Sequence, residues 1–257
     1  MSHADGNGRL HSNRILSLLP AGEYDRLAPH SRYVELPLRE VLYRPDDPMP
    51  YVHFPLSGTV SLTAPMRDGH EVEIGVVGRE GMAGLPVFLG TDSSPFKAVV
   101  QVSGGAVRIK AGALREEAGR GGALHRLLLR YAQAFFVQAA QTAACNRLHP
   151  MGGRLAKWLL TTRDRAQSDV LDLTQEFLAV MLGVRRAGVS EAITALEERG
   201  LVGHARNRIS ILDGPGLERV SCECYGVVRK EFDRLLGSEL AHGPRRDGAA
   251  SGVSQLY

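Results

Sequence analysis

Two adjacent arginines, Arg185 and Arg186, stand at the start of a short helical pattern in the second half of the chain. A guanidinium group donates two parallel hydrogen bonds, which match the edge of guanine or the oxygens of a phosphate. Glu191 follows on the same face and can accept a hydrogen bond from cytosine N4. The pattern predicts a surface that contacts base pairs. The residues assigned to it on this helix are Arg185, Arg186, Ala187, Ser190, Glu191 and Thr194.

A helix-turn-helix is the element that would position these side chains. Its first helix begins after Thr174, whose hydroxyl can accept from an unpaired N–H of the first turn, and we count Thr174 among the candidate DNA contacts. Gly183 ends that helix, because glycine adopts a left-handed turn without a Cβ penalty. The second helix, 185–198, would bury one face and present the other to a major groove. Its predicted inner residues are Val189, Ala192, Ile193 and Leu196. An ordinary helical hairpin with solvated arginines is the alternative.

A basic hairpin follows the second helix. The stretches 201–205 and 209–212 are rich in apolar residues and predict two short strands. Positive charge at the tip between them suits contact with DNA phosphates. The unit therefore resembles a winged helix-turn-helix, with a tip formed by Arg206, Asn207 and Arg208.

The bulk composition is that of an ordinary soluble protein. The chain has 257 residues, 44% of them hydrophobic and 23% charged, with a formal net charge of +3. No apolar run approaches the roughly 20 residues that a membrane-spanning helix requires. The first residues carry no apolar stretch of the kind found in secretory signals. We therefore expect a cytoplasmic protein with no membrane partner.

The first half of the chain carries a different pattern. Between Tyr33 and about Lys110, short β-rich runs alternate with glycine, proline and aspartate. Strands at such close spacing indicate a sandwich or barrel, and a jelly roll fits. A small barrel of this kind can be filled by side chains or can hold one ligand.

A long helical pattern, 123–149, follows this region and ends at Pro150. Apolar residues along it alternate in steps of four and three, which is typical of a helix that pairs with a copy of itself. An amphipathic helix packed on its own barrel is the alternative. The candidate dimer-interface residues are Leu124, Leu128, Tyr131, Phe135, Gln138 and Thr142.

These patterns predict an α+β protein with two folded units. We expect a disordered N-terminus over 1–12, a β-barrel sensor over 13–120 and a dimerisation helix over 121–150. A winged helix-turn-helix domain over 151–236 and a disordered tail over 237–257 complete the chain. A last helix is predicted from Leu217 to Leu236.

The order of these parts resembles the Crp/Fnr family of bacterial transcription regulators. The resemblance runs from about Asn13 to Leu236 and is carried by four motifs, which lie at 51–62, 153–157, 182–190 and 196–202. It implies a non-enzymatic homodimer that binds a two-fold DNA operator, with recognition helices roughly 34 Å apart. RNA polymerase is a further candidate partner.

The recognition helix departs from the family pattern. Family members commonly carry Arg-Glu-x-x-x-Arg on this helix. Arg186 matches the first arginine, whereas Ala187 replaces the glutamate and Glu191 the second arginine. We therefore expect base preferences that differ from those of such members.

The sensor departs further. Cyclic-nucleotide-binding members hold the phosphate with a Gly-Glu segment at a short helix and with a following arginine. Here Pro95 to Ala98 replace the arginine segment and offer only Lys97 as a cation, and the base-contacting positions fall near Ala139 and Ala140, which carry no hydroxyl. A degenerate barrel with an unknown effector, or none, is the main hypothesis, and a cyclic-AMP-responsive regulator is the alternative. The candidate effector residues are Gly78, Arg79, Glu80, Gly81, Met82 and Lys97.

Other cofactors are not favoured by the sequence. The N-terminal cysteine cluster of iron–sulfur members is absent, and His30, His53 and His70 are isolated as haem ligands. A cupin-type metalloenzyme using His53, His70, Glu71 and Glu73 is a remote alternative. Cys145, Cys222 and Cys224 are too few for a four-cysteine zinc site. On a helix Cys222 and Cys224 would point to opposite sides, so we expect no metal site.

Overall fold

The computed structural model describes residues 12–237. The terminal segments predicted to be disordered therefore lie outside the described residues, apart from Ser12 and Gly237. Elements are numbered below in chain order.

The N-terminal helices fasten the start of the chain to the sheet. They are α1 (Arg14–Ser17) and α2 (Ala21–Leu27), followed by a 3-10 turn (Ala28–His30). Asn13 is completely buried and caps α1 through its side-chain oxygen. Its amide nitrogen donates to the carbonyls of Pro55 and Gly81, at 2.9 Å each. The side chain thus satisfies helix and sheet groups that would otherwise be buried without partners.

An antiparallel sheet forms the half predicted to be a sensor, called the sensor half below. Its strands are β1 (Ser31–Leu36), β2 (Val41–Tyr43), β3 (Tyr51–Pro65), β4 (Glu71–Val77) and β5 (Lys97–Lys110). Their order is β1-β5-β3-β4, with β2 also paired to β5. The long strands β3 and β5 each join two of the predicted β runs through bulges. Gly58 and Gly104 lie at these bulges, where any Cβ would overlap the backbone of the facing strand.

Three helices follow or interrupt these strands. They are α3 (Leu85–Phe88), α4 (Ala111–Gly119) and α5 (Ala123–Leu148). The Glu23 carboxylate accepts from the backbone N–H groups of Ala123 and Leu124, at 2.7 and 2.8 Å. A negative charge there stabilises the positive end of the α5 dipole. The helix predicted over 123–149 is confirmed.

The half predicted to bind DNA, called the DNA-binding half below, has its own apolar core. Its elements are α6 (Met151–Ala166), β6 (Val170–Leu171), α7 (Gln175–Leu182), α8 (Arg186–Glu198), β7 (Val202–Ala205), β8 (Arg208–Ile211), α9 (Gly214–Val220) and α10 (Cys224–Leu236). Leu155, Leu159, Leu178 and Ile193 are buried together in this core. The three short strands pair in the order β6-β8-β7.

The single helix predicted from Leu217 to Leu236 is wrong. The chain forms two helices there, because Ser221 adopts extended backbone and ends α9. In α10, Val228, Phe232 and Leu236 pack into the core of the sensor half. Helical periodicity predicts an apolar face but not the core that this face joins, and here these three side chains join the sensor core while Tyr225 joins the core of the DNA-binding half.

Candidate nucleic-acid interface and sensor site

The helix-turn-helix forms as its local sequence predicts. Thr174 precedes α7, and its hydroxyl oxygen accepts from the Phe177 N–H at 3.0 Å. Gly183 has φ 62° and ψ 42°, the left-handed conformation expected for the turn. Arg185 has extended backbone and caps α8, which begins at Arg186, one residue later than predicted.

The two faces of α8 separate as the periodicity predicts. Arg185, Arg186 and Thr194 are exposed, while Ser190 is half-buried. Ala187 and Glu191 are exposed beside them. The buried inner face consists of Val189, Ala192, Ile193 and Leu196. The candidate base-contacting groups therefore lie together on a free helical surface.

The wing is a two-residue turn between β7 and β8. Arg206 and Asn207 form the turn, in which Asn207 has φ 58°. Arg208 begins β8, and its Nε lies 2.9 Å from Asp172 Oδ1. Both side chains are more than half exposed, so this ion pair contributes little and can exchange for a phosphate contact.

The predicted effector segment is closed by side chains from two helices. Residues 78–81 form a turn, and the first helix after it is α3. Glu80 is completely buried, and Arg165 of α6 donates to its carboxylate at 2.7 Å. Any Cβ at Gly81 would overlap the Tyr131 ring. The Tyr131 hydroxyl donates to the Met82 carbonyl at 3.1 Å.

The other candidate effector residues do not form one site with residues 78–82. Arg79 is half-buried. Lys97 pairs with Glu71, which begins β4, whereas Gly78 follows the end of that strand. Seven residues of extended strand separate the two positions by roughly 20 Å. The structure therefore does not bring Lys97 together with Gly78 to Met82.

The predicted dimer seam on α5 faces the protein's own sensor half. Leu124, Leu128 and Tyr131 are buried in the sensor core, and Phe135 packs against it. Gln138 is also buried and donates to the Val76 carbonyl at 3.2 Å. Thr142, further along the helix, is half-buried. The apolar residues of this face are already covered within one chain, which favours the alternative of an amphipathic helix packed on its own barrel.

The two halves of the chain meet at a buried carboxylate. Glu73 of β4 accepts from the Ser61 hydroxyl at 2.6 Å and from the indole N–H of Trp158 in α6 at 3.0 Å. Burial raises the pKa of Glu73 to about 7, against the lowering effects of these donors and of nearby Lys157 and Arg165. The Glu73–Trp158 bond joins the sensor sheet to the DNA-binding half.

A second contact lies at the turn of the helix-turn-helix. A Cβ on Gly183 would stand 3.0 Å from Val72 of β4, so the turn packs closely on the sheet. An open cleft of about 1020 Å³ adjoins this contact. Its lining includes Arg185 and Arg186 as well as His70 of the β3–β4 turn.

The histidines proposed for haem or a cupin site are dispersed. His53 is buried, and burial together with Arg108 lowers its pKa to about 4. His70 is exposed and bonded to Asp68, and His30 is exposed at the end of the 3-10 turn. Glu71 and Glu73 are bonded to separate partners, Lys97 and Trp158. This arrangement brings no histidine pair onto one metal position.

The three cysteines lie closer together than the sequence analysis predicts. Cys222 lies before α10 and not within a helix, so the argument that Cys222 and Cys224 diverge does not apply. Within residues 12–237, the ligand atoms of Cys145, His149, Cys222 and Cys224 lie within 4.8 Å of one another. Two of these residues are some 75 positions from the other two in the sequence, so local spacing could not reveal the group.

Two family models match the sequence. The cyclic nucleotide-binding domain matches residues 33–119, and the Crp-like helix-turn-helix domain matches residues 153–220. The chain belongs to the Crp/Fnr family of transcription regulators. Together the two ranges take in more than half of its length. As a family member it has the fold of a DNA-binding regulator, as the resemblance implied.

Solved structures share this fold. FixK2 from Bradyrhizobium japonicum matches with a TM-score of 0.64 and 19% identity, covering 75% of this chain and 98% of FixK2. A protein of the Crp/Fnr family from Eubacterium rectale matches with a TM-score of 0.62 and 15% identity, covering 82% of this chain and 98% of that protein. CLP, the c-di-GMP responsive global regulator of Xanthomonas campestris, matches with a TM-score of 0.57 and 20% identity, covering 75% of this chain and 99% of CLP. No curated protein matches the sequence. None of the helices between residues 12 and 237 is long and apolar enough to cross a membrane.

Proposed function

We propose that the chain regulates transcription by placing α8 in the major groove of an operator. The observation that carries this proposal is the exposure of Arg185 and Arg186 at the N-terminal end of a helix whose other face is buried. The leading residues of a recognition helix are those that reach base edges. Arg186 would take guanine and Glu191 would accept from cytosine N4.

The wing would contact the sugar-phosphate backbone beside this groove. Arg206 and Asn207 are exposed at its tip, and Arg208 pairs with the exposed carboxylate of Asp172. Phosphate contacts fix the orientation of the domain but carry no sequence information. We therefore assign sequence preference to α8 and general affinity to the wing.

We assign the homodimer interface to the exposed face of α5. This face supports the assignment because it carries apolar side chains that nothing within the described chain covers: Leu129 is 50% exposed and Phe136 is 67% exposed. Its residues recur in steps of four and three, the spacing of a helix pair. They are Leu129, Gln133, Phe136, Ala140, Ala143 and Arg147.

The sensor half would act without a conventional cyclic-nucleotide site. Arg165 and Tyr131 fill the space beside Glu80 and Gly81, and Lys97 is bonded elsewhere. An effector that entered here would have to displace Arg165, a residue of the DNA-binding half. Ligand entry and domain docking would therefore compete for Glu80.

This competition supplies a mechanism for regulation. In the docked arrangement, Trp158 and Arg165 are held by Glu73 and Glu80, and the N-terminal end of α8 lines the same open cleft as the β3–β4 turn. Releasing these contacts would free the DNA-binding half to move relative to α5. An effector shifts such an equilibrium only if it binds one arrangement more tightly.

Selection of random duplex DNA by the purified full-length protein tests the DNA-binding proposal. The selection is sequenced and repeated at two salt concentrations, with and without cyclic AMP. A two-fold motif with half-sites about one helical turn apart is the expected result. Binding that fades with salt and enriches no motif under any condition would contradict the assignment of α8 to base recognition.

Sedimentation equilibrium tests the dimer interface. Phe136→Asp places a charge in the proposed apolar contact and is expected to shift the protein from dimer to monomer. Arg130→Asp is the matched control, because Arg130 is exposed about 120° around the same helix. A Phe136→Asp variant that remains as dimeric as the control would refute this interface.

A further inference from the structure

A group of metal-ligand side chains lies where α5 ends. Cys145 and His149 stand one turn apart near the C-terminal end of that helix. Cys222 lies in the loop between α9 and α10, and Cys224 is the first residue of α10. We propose that these four residues bind one thiophilic divalent cation, Zn²⁺ before others, through three sulfurs and one imidazole nitrogen.

The distances fit a single ion. All four ligand atoms lie within 4.8 Å of one another. Cys145 Sγ is 3.5 Å from Cys222 Sγ, and Cys224 Sγ is 3.4 Å from His149 Nδ1. With Zn–S bonds of about 2.3 Å and a Zn–N bond of about 2.0 Å, the edges of a tetrahedral site measure roughly 3.5 to 3.8 Å. An iron–sulfur cluster has several metal atoms and needs a wider set of ligands.

The chemistry of the ligands selects the class of metal. Three cysteines and one histidine, with no carboxylate among them, form a closed set typical of structural zinc. Thiolates favour soft and borderline cations over Mg²⁺ or Ca²⁺. All three cysteines are unbridged and buried, with exposures of 1%, 8% and 0% for Cys145, Cys222 and Cys224. Cysteines that lose their protons on binding a metal in so buried a place would have their charge balanced by the cation.

Neighbouring residues already orient the ligands. His149 Nε2 lies 3.1 Å from a carboxylate oxygen of Glu223, which leaves Nδ1 to face the sulfurs. A histidine whose second nitrogen is held by a carboxylate is the usual arrangement at zinc sites. The Gln141 amide donates to Cys224 Sγ at 3.1 Å, a contact that stabilises a thiolate.

The position of the site gives it a structural consequence. It lies beside the junction of α5 and α6, and the Cys222 N–H donates to the carbonyl of Gly153 in α6 at 3.3 Å. Zn²⁺ would join the end of α5 to the loop before α10. Metal binding would therefore stiffen the connection between the proposed dimer helix and the DNA-binding half, and would add its binding free energy to the stability of the fold.

Cobalt substitution tests the site in the full-length protein. The protein is purified with reductant, stripped with a chelator and titrated with Co²⁺ and then Zn²⁺. We expect one Co²⁺ per chain, with thiolate charge-transfer bands and the intense visible bands of a tetrahedral ion, all of them abolished by one equivalent of Zn²⁺. Weak octahedral bands, or no visible bands, would overturn the proposal.

Variants identify the metal ligands. A measurement on the wild-type protein tests the same assignment without depending on whether the variants fold. Cys222→Ser and Cys224→Ser should abolish the tetrahedral spectrum, whereas Glu223→Gln should weaken Zn²⁺ binding about 10- to 100-fold. His125→Gln, also on α5 but outside the group, should leave binding unchanged. X-ray absorption of the zinc-loaded wild type should give three sulfurs and one nitrogen. A shell dominated by oxygen, or equal binding by both cysteine variants and wild type, would refute the assignment.

Discussion

Replacing Glu73 by glutamine should remove a pH dependence that this residue imposes on the fold. Glu73 accepts hydrogen bonds from Ser61 and Trp158 and faces the positive charges of Lys157 and Arg165. Its pKa is raised from the ordinary 4.5 to about 7, chiefly by burial. Because the folded pKa is the higher one, the folded state binds the proton more tightly than the unfolded state does. The stabilisation is full below pH 4.5 and is lost as pH rises through 7.

The size of the effect follows from the two pKa values. Their difference corresponds to about 3 kcal/mol at 1.36 kcal/mol per pH unit. Between pH 5.5 and 8, linkage predicts that the wild type loses about 2 kcal/mol of unfolding free energy through this one carboxyl. Glutamine resembles the protonated acid, since its amide can donate to Ser61 while its carbonyl accepts from the Trp158 indole. Glu73→Gln should therefore lack this loss.

The single tryptophan of the chain provides the assay, because Trp158 is the residue that contacts Glu73. Urea transitions followed by Trp158 fluorescence at pH 5.5 and 8 give the unfolding free energies of wild type and Glu73→Gln. The difference between the two proteins should change by about 2 kcal/mol over this range. Unfolding free energies that change with pH in parallel for the two proteins would refute the reasoning. A wild type that gains stability relative to the variant as pH rises would also refute it.

Three further variants test other parts of the argument. Arg186→Ala should lose about 1–3 kcal/mol of operator affinity and relax preference at one base position, and selection with unchanged preference would contradict its role. Arg208→Ala should weaken binding to all sequences alike and lower the salt slope by about one, whereas an unchanged slope would remove it from the phosphate contacts. Arg165→Met should cost about 3–5 kcal/mol of unfolding free energy, because the buried Glu80 carboxylate would keep the Gly78 N–H as a donor but lose the positive charge that balances it. The double variant with Glu80→Gln should recover much of this loss, and a single variant as stable as wild type would show that the buried pair is not needed.

Local sequence was sufficient to predict the helix-turn-helix. Three local features define it: the Thr174 hydroxyl, the left-handed conformation of Gly183 and the buried stripe beginning at Val189. Each involves contacts between residues only a few positions apart in the sequence. Capping, turn conformation and helical periodicity depend on the backbone nearby and little on the rest of the fold. The same is true of the wing, whose turn and flanking strands form a local hairpin.

The sensor segment and the long helix could not be predicted to the same degree. An apolar stripe at heptad spacing suits either a partner helix or the chain's own core, and α5 also exposes Leu129 and Phe136 on another face. Burial of Leu124 and Tyr131 against the sensor sheet decides between them. Glu80 matched a family position in the sequence, but its partner Arg165 lies 85 residues further along and is brought to it only by the docking of α6.

By itself, the sequence determined the kinds of elements, their order and the composition of the surface offered to DNA, because these depend on short-range preferences. Only the tertiary structure decided which face of α5 remains free, what closes the space beside Glu80, and that Cys145 and His149 meet Cys222 and Cys224. These outcomes depend on packing between segments far apart in the chain. The cysteine–histidine group forms because α10 packs on α5. That packing depends on the shape of the sensor core and not on the residues of α10 alone.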